Sequence, residues 1–213
     1  MKNRIITALM CATLLIGTAG CTANETSVSA VSQADTTSEN CVEETADENS
    51  VNPDIVVDSG VDYLEGHEKF EVTSTDLENG VWADIISNTD RGTNASPQLK
   101  WEAVDGASEY VIYMVDMNAN GFIHWKSKGI TDTEIPQGWA ASSDYVGPWP
   151  APGFTHIYEI YVVALKKPVD RLKGGLNSGN PKFEEFIKGL DSDSEGNPGN
   201  VLAYGKISGK FTG

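Results

Sequence analysis

Tyr145-Val146-Gly147-Pro148-Trp149-Pro150-Ala151-Pro152-Gly153-Phe154-Thr155-His156-Ile157-Tyr158 is a loop stiffened by three prolines that feeds an apolar run. Proline fixes φ and removes a backbone donor, so this is no ordinary solvated connection sampling many shapes. The run it enters, Ile157 to Leu165, is almost continuously apolar and β-branched, and so is Glu109 to Asp116. Such segments are expected of strands covered on both faces. Phe70 to Thr73, Leu99 to Glu102 and Val201 to Phe211 supply further strands, separated by Gly, Asn and Pro. One helix is predicted over Pro181 to Leu190, where Phe183, Phe186, Ile187 and Leu190 share a face, with Asn180 as N-cap. No internal repeat interrupts this mainly β pattern.

The same stretch carries candidate chemistry. Period-2 geometry puts His156 and Tyr158 on one face of their strand. The chain has three histidines; His124 lies in another strand-like segment eight residues after Asp116, and His67 sits at a junction with no functional pattern around it. Two histidines, a carboxylate and a rigid loop suggest a small pocket for something polar. Glycine allows close approach and positive φ, so amides around Gly147 are expected to face an oxyanion. Imidazoles donate to phosphate oxygens and Tyr158 offers a hydroxyl.

Residues 1–20 read as a signal segment. Lys2 and Arg4 precede an apolar stretch from Ile5 to Gly17 that is too short for a comfortable membrane span. Thr18-Ala19-Gly20-Cys21 is similar to a bacterial lipobox, which makes Cys21 the expected lipidation site and places the protein on the outer side of a bacterial membrane. Residues 21–68 read as a disordered acidic tether with twelve acids and no Lys or Arg. A coil of that length reaches roughly 35–40 Å. The domain is expected over residues 69–213, about 145 residues and enough for one core.

The formal charge is −16, of which the 69–213 segment holds 13 basic against 19 acidic residues. That balance argues against nucleic acid and against a general attraction to anionic membranes. Cys11, Cys21 and Cys41 are the only cysteines, so the domain has neither a disulfide framework nor a cysteine metal site. Asp191-Ser192-Asp193-Ser194-Glu195-Gly196 and Asp116-Met117-Asn118-Ala119-Asn120-Gly121 resemble the start of a calcium loop. Both lack the glutamate at position 12, where Leu202 and Ser127 stand. The first reads as a solvated acidic loop and the second as a hairpin turn. No hydrolase elbow, metalloprotease helix, P-loop or dinucleotide fingerprint is present, and no cofactor is implied.

Taken in order, these segments resemble the phosphatidylethanolamine-binding proteins, the group that includes the bacterial Raf-kinase-inhibitor-like proteins. Asn94-Ala95-Ser96-Pro97-Gln98-Leu99-Lys100-Trp101 resembles the early N-x-S-P-x-L-x-W segment, and Asp116 to Gly121 stands where that family has D-P-D-A-P. Phe122-Ile123-His124-Trp125 is similar to its W-x-H-W strand, and Gly147 to Tyr158 to its bacterial G-P-C-P-P…G…H-R-Y. Leu202 to Gly213 resembles the closing strand. The resemblance implies a large antiparallel Greek-key sheet packed on a smaller sheet, with a few short helices. It also implies a small anion pocket formed by Asp116, His124, His156 and Tyr158, with Gly147, Pro148 and Pro150 as rim and Phe122 as an aromatic wall.

Several departures bear on that pocket. The Asp116 turn lacks both prolines and the second acid; Ile157 replaces an arginine, and Trp149 replaces a small residue at the rim. Lys126-Ser127-Lys128-Gly129 replaces an apolar strand, which is therefore expected to be short or exposed. Asp116 has two candidate roles, orienting a histidine or meeting a ligand amine, and the first avoids setting a bare carboxylate against an anion. The functional expectation is a membrane-tethered binding protein for a small anionic or phosphorylated ligand, inhibiting or scaffolding a partner protein as some relatives do. The alternative is an enzyme using the same pocket for hydrolysis or isomerisation. Mass spectrometry of the mature N-terminus checks the anchor: the wild type carries lipid on Cys21, Cys21→Ser carries none, and a free terminus elsewhere in the wild type refutes the lipobox reading.

Overall fold

The computed structural model describes residues 57–213. The signal segment, Cys21 and the tether up to residue 56 lie outside the described residues. In chain order the strands are β1 (Glu68–Lys69), β2 (Val72–Thr73), β3 (Leu77–Glu78), β4 (Val81–Trp82), β5 (Leu99–Trp101), β6 (Glu109–Asp116), β7 (Phe122–Ile130), β8 (Glu134–Ile135), β9 (Thr155–Leu165) and β10 (Val201–Thr212). A single α-helix among the described residues, α1 (Phe183–Lys188), precedes β10. The large sheet runs β3-β4-β10-β9-β6-β7, with β1 also beside β10; the small sheet is β2-β5-β8. The large sheet is mixed, because the short β1 and β4 run along β10 in the same direction. Its long pairings, β10 with β9, β9 with β6 and β6 with β7, are antiparallel.

The apolar runs of β6 and β9 explain the layering. Every residue of β6 is buried, so neither face of the strand meets water. Tyr110, Ile112 and Met114 join Tyr158, Ile160 and Val162 in a core roofed by Val72, Leu99, Trp101 and Ile135 of the small sheet. Val111, Tyr113 and Val115 point the other way and meet Tyr161, Val163, Phe183, Ile187 and Leu190. Strand alternation therefore builds two cores back to back, each buried large side chain contributing about 1.5–3 kcal/mol.

Three local expectations are refined. The helix is shorter than predicted, and Asn180 does not cap it. Its side chain is turned back to Gly175 and Ser178, closing the preceding loop, and Lys182 occupies the capping position without a side-chain bond. The Lys126–Gly129 stretch does not shorten β7, which runs nine residues, but Lys128 and Gly129 within it are exposed, as expected. Edge position explains this: Lys126 and Lys128 reach the carbonyls of Gly174 and Val169, outside the ladder with β6. The 192–199 loop is exposed, as its composition suggests, apart from Asp193. Asp193 is buried, 8 % exposed, and accepts from Lys167 Nζ at 2.6 Å and from the amides of Glu195 and Asn197. Lys167 beside it holds the Asp193 carboxyl well below its ordinary range.

The structured part also begins before residue 69. Leu64 is 2 % exposed and packs with Tyr204 and Tyr161. Ser59 donates to buried Glu159 through both its amide (3.1 Å) and its hydroxyl (2.6 Å). Tyr204 donates to Asp62 at 2.5 Å, and Lys206 pairs with Asp58 at 2.8 Å. Two acids that look like solvated tether in composition, Asp58 and Asp62, instead meet Lys206 and Tyr204 of β10, folded from the far end of the chain. Cutting before Val57 should leave the melting temperature unchanged, whereas cutting before Lys69 should lower it by roughly 5 °C or more, given the buried Leu64 alone. Equal melting temperatures for the two trimmed forms, read by differential scanning calorimetry, would contradict the docking of residues 57–68.

Candidate functional site

At one end of the large sheet, three strands deliver polar side chains to a common face. Asp116 closes β6 and stands opposite Tyr158 of β9 and Phe122 of β7. His156 precedes Tyr158 by two residues and so shares its face. The ladder between β6 and β7 shifts register where Met114 pairs with Trp125 and Val115 with Ile123, which leaves His124 as the extra residue of a β-bulge. The bulge lets Phe122, His124 and Trp125 all serve the same side of the sheet while Ile123 serves the other core.

The resulting cavity holds about 170 Å³ and is lined by Asp116, Ala119, Phe122, His124, Trp149, Pro150, Ala151, His156 and Tyr158. Six of the eight residues expected in the pocket therefore converge. Gly147 and Pro148 do not line it. The Gly147 amide donates to Asn94 Oδ1 at 2.6 Å, so it is not free for an oxyanion, and a Cβ at this position would collide with the Ile86 carbonyl oxygen. Pro148 accepts through its carbonyl from the Asn88 amide at 2.9 Å. Both residues pin the loop to the 85–94 segment, which Tyr145 reinforces by donating to the Ile86 carbonyl at 2.7 Å.

The hydrogen bonds assign most of the donors and acceptors. His156 Nδ1 lies 2.7 Å from Asp116 Oδ2 and donates to it. The other Asp116 oxygen accepts from the Asn118 amide at 2.8 Å. Asp116, 3 % exposed, thus orients the histidine and has no bare oxygen aimed at a ligand. His124 Nδ1 lies 2.8 Å from the Val146 carbonyl, which can only accept, so Nδ1 carries the proton. Burial pushes the His124 imidazole below its ordinary value, and the Val146 carbonyl and Asp116 offset this only in part. Burial, and then the Asp116 charge, hold the Tyr158 phenol far above its ordinary value, so it remains a hydroxyl.

Aromatic rings enclose His124. Its ring centroid is 4.8 Å from that of Phe122, 5.1 Å from Tyr158 and 5.7 Å from Trp149. Trp149, 39 % exposed, stands edge-on to Phe122 and forms the outer wall, at the rim where the sequence puts it. What sequence reasoning misses is the pair of asparagines that set the site. Asn94 holds the loop through Gly147, and Asn118 Oδ1 accepts from the Ile157 amide at 2.7 Å, tying the Asp116 turn to β9. Asn94 adopts φ +57°, a left-handed conformation that asparagine tolerates. The early motif thus supports the site from outside it.

This fold has counterparts among solved structures. The chain superposes on a protein described as a phosphatidylethanolamine-binding protein homologue from Chlamydia trachomatis with a TM-score of 0.52 and 17 % identity, covering 68 % of this chain and 99 % of that one. The fold is that of a phosphatidylethanolamine-binding protein. YbcL of Escherichia coli, described as a member of the mammalian family of these proteins, gives a TM-score of 0.49 and 20 % identity over 68 % of this chain and 98 % of its own. No family model matches the sequence, and a search of curated proteins gave no match.

The lowered His124 value has a consequence for stability. In the unfolded chain a histidine takes up a proton near pH 6.5, and in the fold His124 does so only at lower pH. Between those points the unfolded state binds more protons, so stability falls as pH falls. Thermal unfolding of the wild type at pH 7.5 and 5.5 should show a larger drop than the same pair of measurements on His124→Asn. An identical drop in both would mean that His124 protonates freely in the fold.

Proposed function

We propose that this protein is an extracytoplasmic binding protein, held to a membrane by lipid on Cys21, whose cavity takes a small oxyanion such as phosphate or a phosphorylated headgroup. The observation that carries the proposal is the Asp116–His156 pair at 2.7 Å, set beside His124 and Tyr158 in a cavity of about 170 Å³. The carboxylate fixes the ring through Nδ1, and when the ring is protonated its second nitrogen donates toward the cavity. The side chain of His156 is 25 % exposed, compatible with access from solvent. Among the described residues, no Lys or Arg lines the cavity, and Ile157 stands where the resembling family has arginine. A single imidazolium balanced by Asp116 supports modest affinity that weakens with salt.

Trp149 and Pro150 set the width of the entrance, and the fold likeness agrees with a binding role while leaving the ligand open. An acid–base enzyme is the second reading, because an Asp-oriented histidine is also the arrangement of a general base. One titration separates them. Phosphate should bind the protein at pH 6 in isothermal titration calorimetry. His156→Gln, which keeps a donor for Asp116 but no charge, should weaken binding by about tenfold or more without a large change in melting temperature. Undiminished binding in the variant removes the pocket from the proposal; consumption of a phosphomonoester by the wild type, lost in the variant, moves the assignment to the enzyme.

A further inference from the structure

Both histidines of the cavity spend the same nitrogen on the protein. His124 Nδ1–H is donated to the Val146 carbonyl and His156 Nδ1–H to Asp116. Each ring is left with Nε2 as its only unengaged nitrogen. On His156, Nε2 becomes a donor when the ring is protonated against Asp116. On His124 the situation differs, because a carbonyl cannot compensate a positive charge as a carboxylate does.

The surroundings of His124 hold it neutral. It is 3 % exposed and enclosed by Phe122, Trp149 and Tyr158. The charged or titratable groups facing it are Asp116 from β6 and His156 and Tyr158 from β9. The 146–151 loop adds no ionisable side chain. Asp116 is already engaged by His156 and by the Asn118 amide. A neutral ring with its proton on Nδ1 has a lone pair on Nε2, which makes this atom a hydrogen-bond acceptor. Any ligand that fills the cavity must bring a donor to it or leave it unpaired.

Resting on the oxyanion reading, we propose that His124 is a specificity-determining residue that makes the cavity select oxyanions retaining a proton, such as the monoanionic form of phosphate or of a phosphomonoester, over fully ionised oxyanions such as sulfate. The bound hydroxyl donates to His124 Nε2, while the charged oxygens accept from His156 Nε2 and the Tyr158 hydroxyl. Sulfate has nearly the size and shape of phosphate, but at neutral pH it carries no hydrogen and sets its own lone pairs against that of His124. A buried acceptor made for a donor discriminates strongly against a ligand that lacks one. The proton on the ligand also links affinity to pH. Because a phosphomonoester loses its second proton near pH 6, its binding weakens above that range as the ligand deprotonates.

The test is calorimetric titration of the wild-type protein with inorganic phosphate and with sulfate at pH 6 and matched ionic strength. Phosphate should bind at least about tenfold more tightly. Equal affinities, or tighter sulfate, overturn the inference and leave the oxyanion pocket standing; binding of neither ion overturns both. His124→Gln, whose amide can turn a donor toward the ligand, should narrow the ratio, and an unchanged ratio with phosphate still bound assigns the selectivity elsewhere. Should that variant fail to fold, nitrogen NMR of histidine-labelled wild type decides the premise: Nδ1 protonated and Nε2 bare at pH 6–7 supports it, and a proton on Nε2 overturns it.

Discussion

The pairing of β6 with β9 is the constraint from which the rest follows. Eight residues of β6 face eight of β9 in an unbroken register from Glu109↔Leu165 to Asp116↔Tyr158. Both strands are apolar on both faces, so each face of the pair must be covered by something else. The small sheet covers one and α1 with its flanking loops covers the other. The pair ends where polarity begins: at Asp116 and Tyr158 the register is still held by the ladder, but the side chains are no longer purely apolar. The site is the polar end of the same alternation that fills the core.

Much of this is legible in the residues. The extent of β6 and the long run of β9 follow from apolar continuity, β10 is legible as the Val201–Phe211 segment, and period 2 correctly puts His156 and Tyr158 on one face. The convergence of Asp116, Phe122, His124, Pro150, His156 and Tyr158 is legible through the ordered motifs. What escapes has a common cause. The docking of residues 57–68 depends on Glu159, Tyr204 and Lys206, about a hundred residues or more away, and local composition carries no trace of such partners. Gly147 reads as a bare amide because glycine permits close approach. It does, but what approaches is Ile86 and Asn94 rather than a ligand. The protonation of each histidine is illegible for the same reason, since it is set by what Nδ1 touches.

Electrostatically the site differs from a typical oxyanion trap. The chain is acidic, none of the described residues lining the cavity is lysine or arginine, and its one potential imidazolium is already matched by Asp116. Long-range attraction therefore does little for an approaching anion, and discrimination must rest on the direction of a few hydrogen bonds at short range. Aromatic walls sharpen such discrimination. Once a ligand displaces water from between them, an unmatched lone pair inside is costly rather than merely solvated.

The bulge at His124 sets that residue apart from its neighbours. Take it out of the chain and the ladder on either side closes into regular pairing, with Ile123 still opposite Val115 and Trp125 still opposite Met114. At this end of β7 the ladder thus reads as regular pairing into which one residue has been inserted, separate from the second register shift between Tyr110 and Ile112. Scaffold and chemistry are separable in this strand to the level of a single codon, and a relative could gain or lose the cavity's acceptor without moving any other residue out of register.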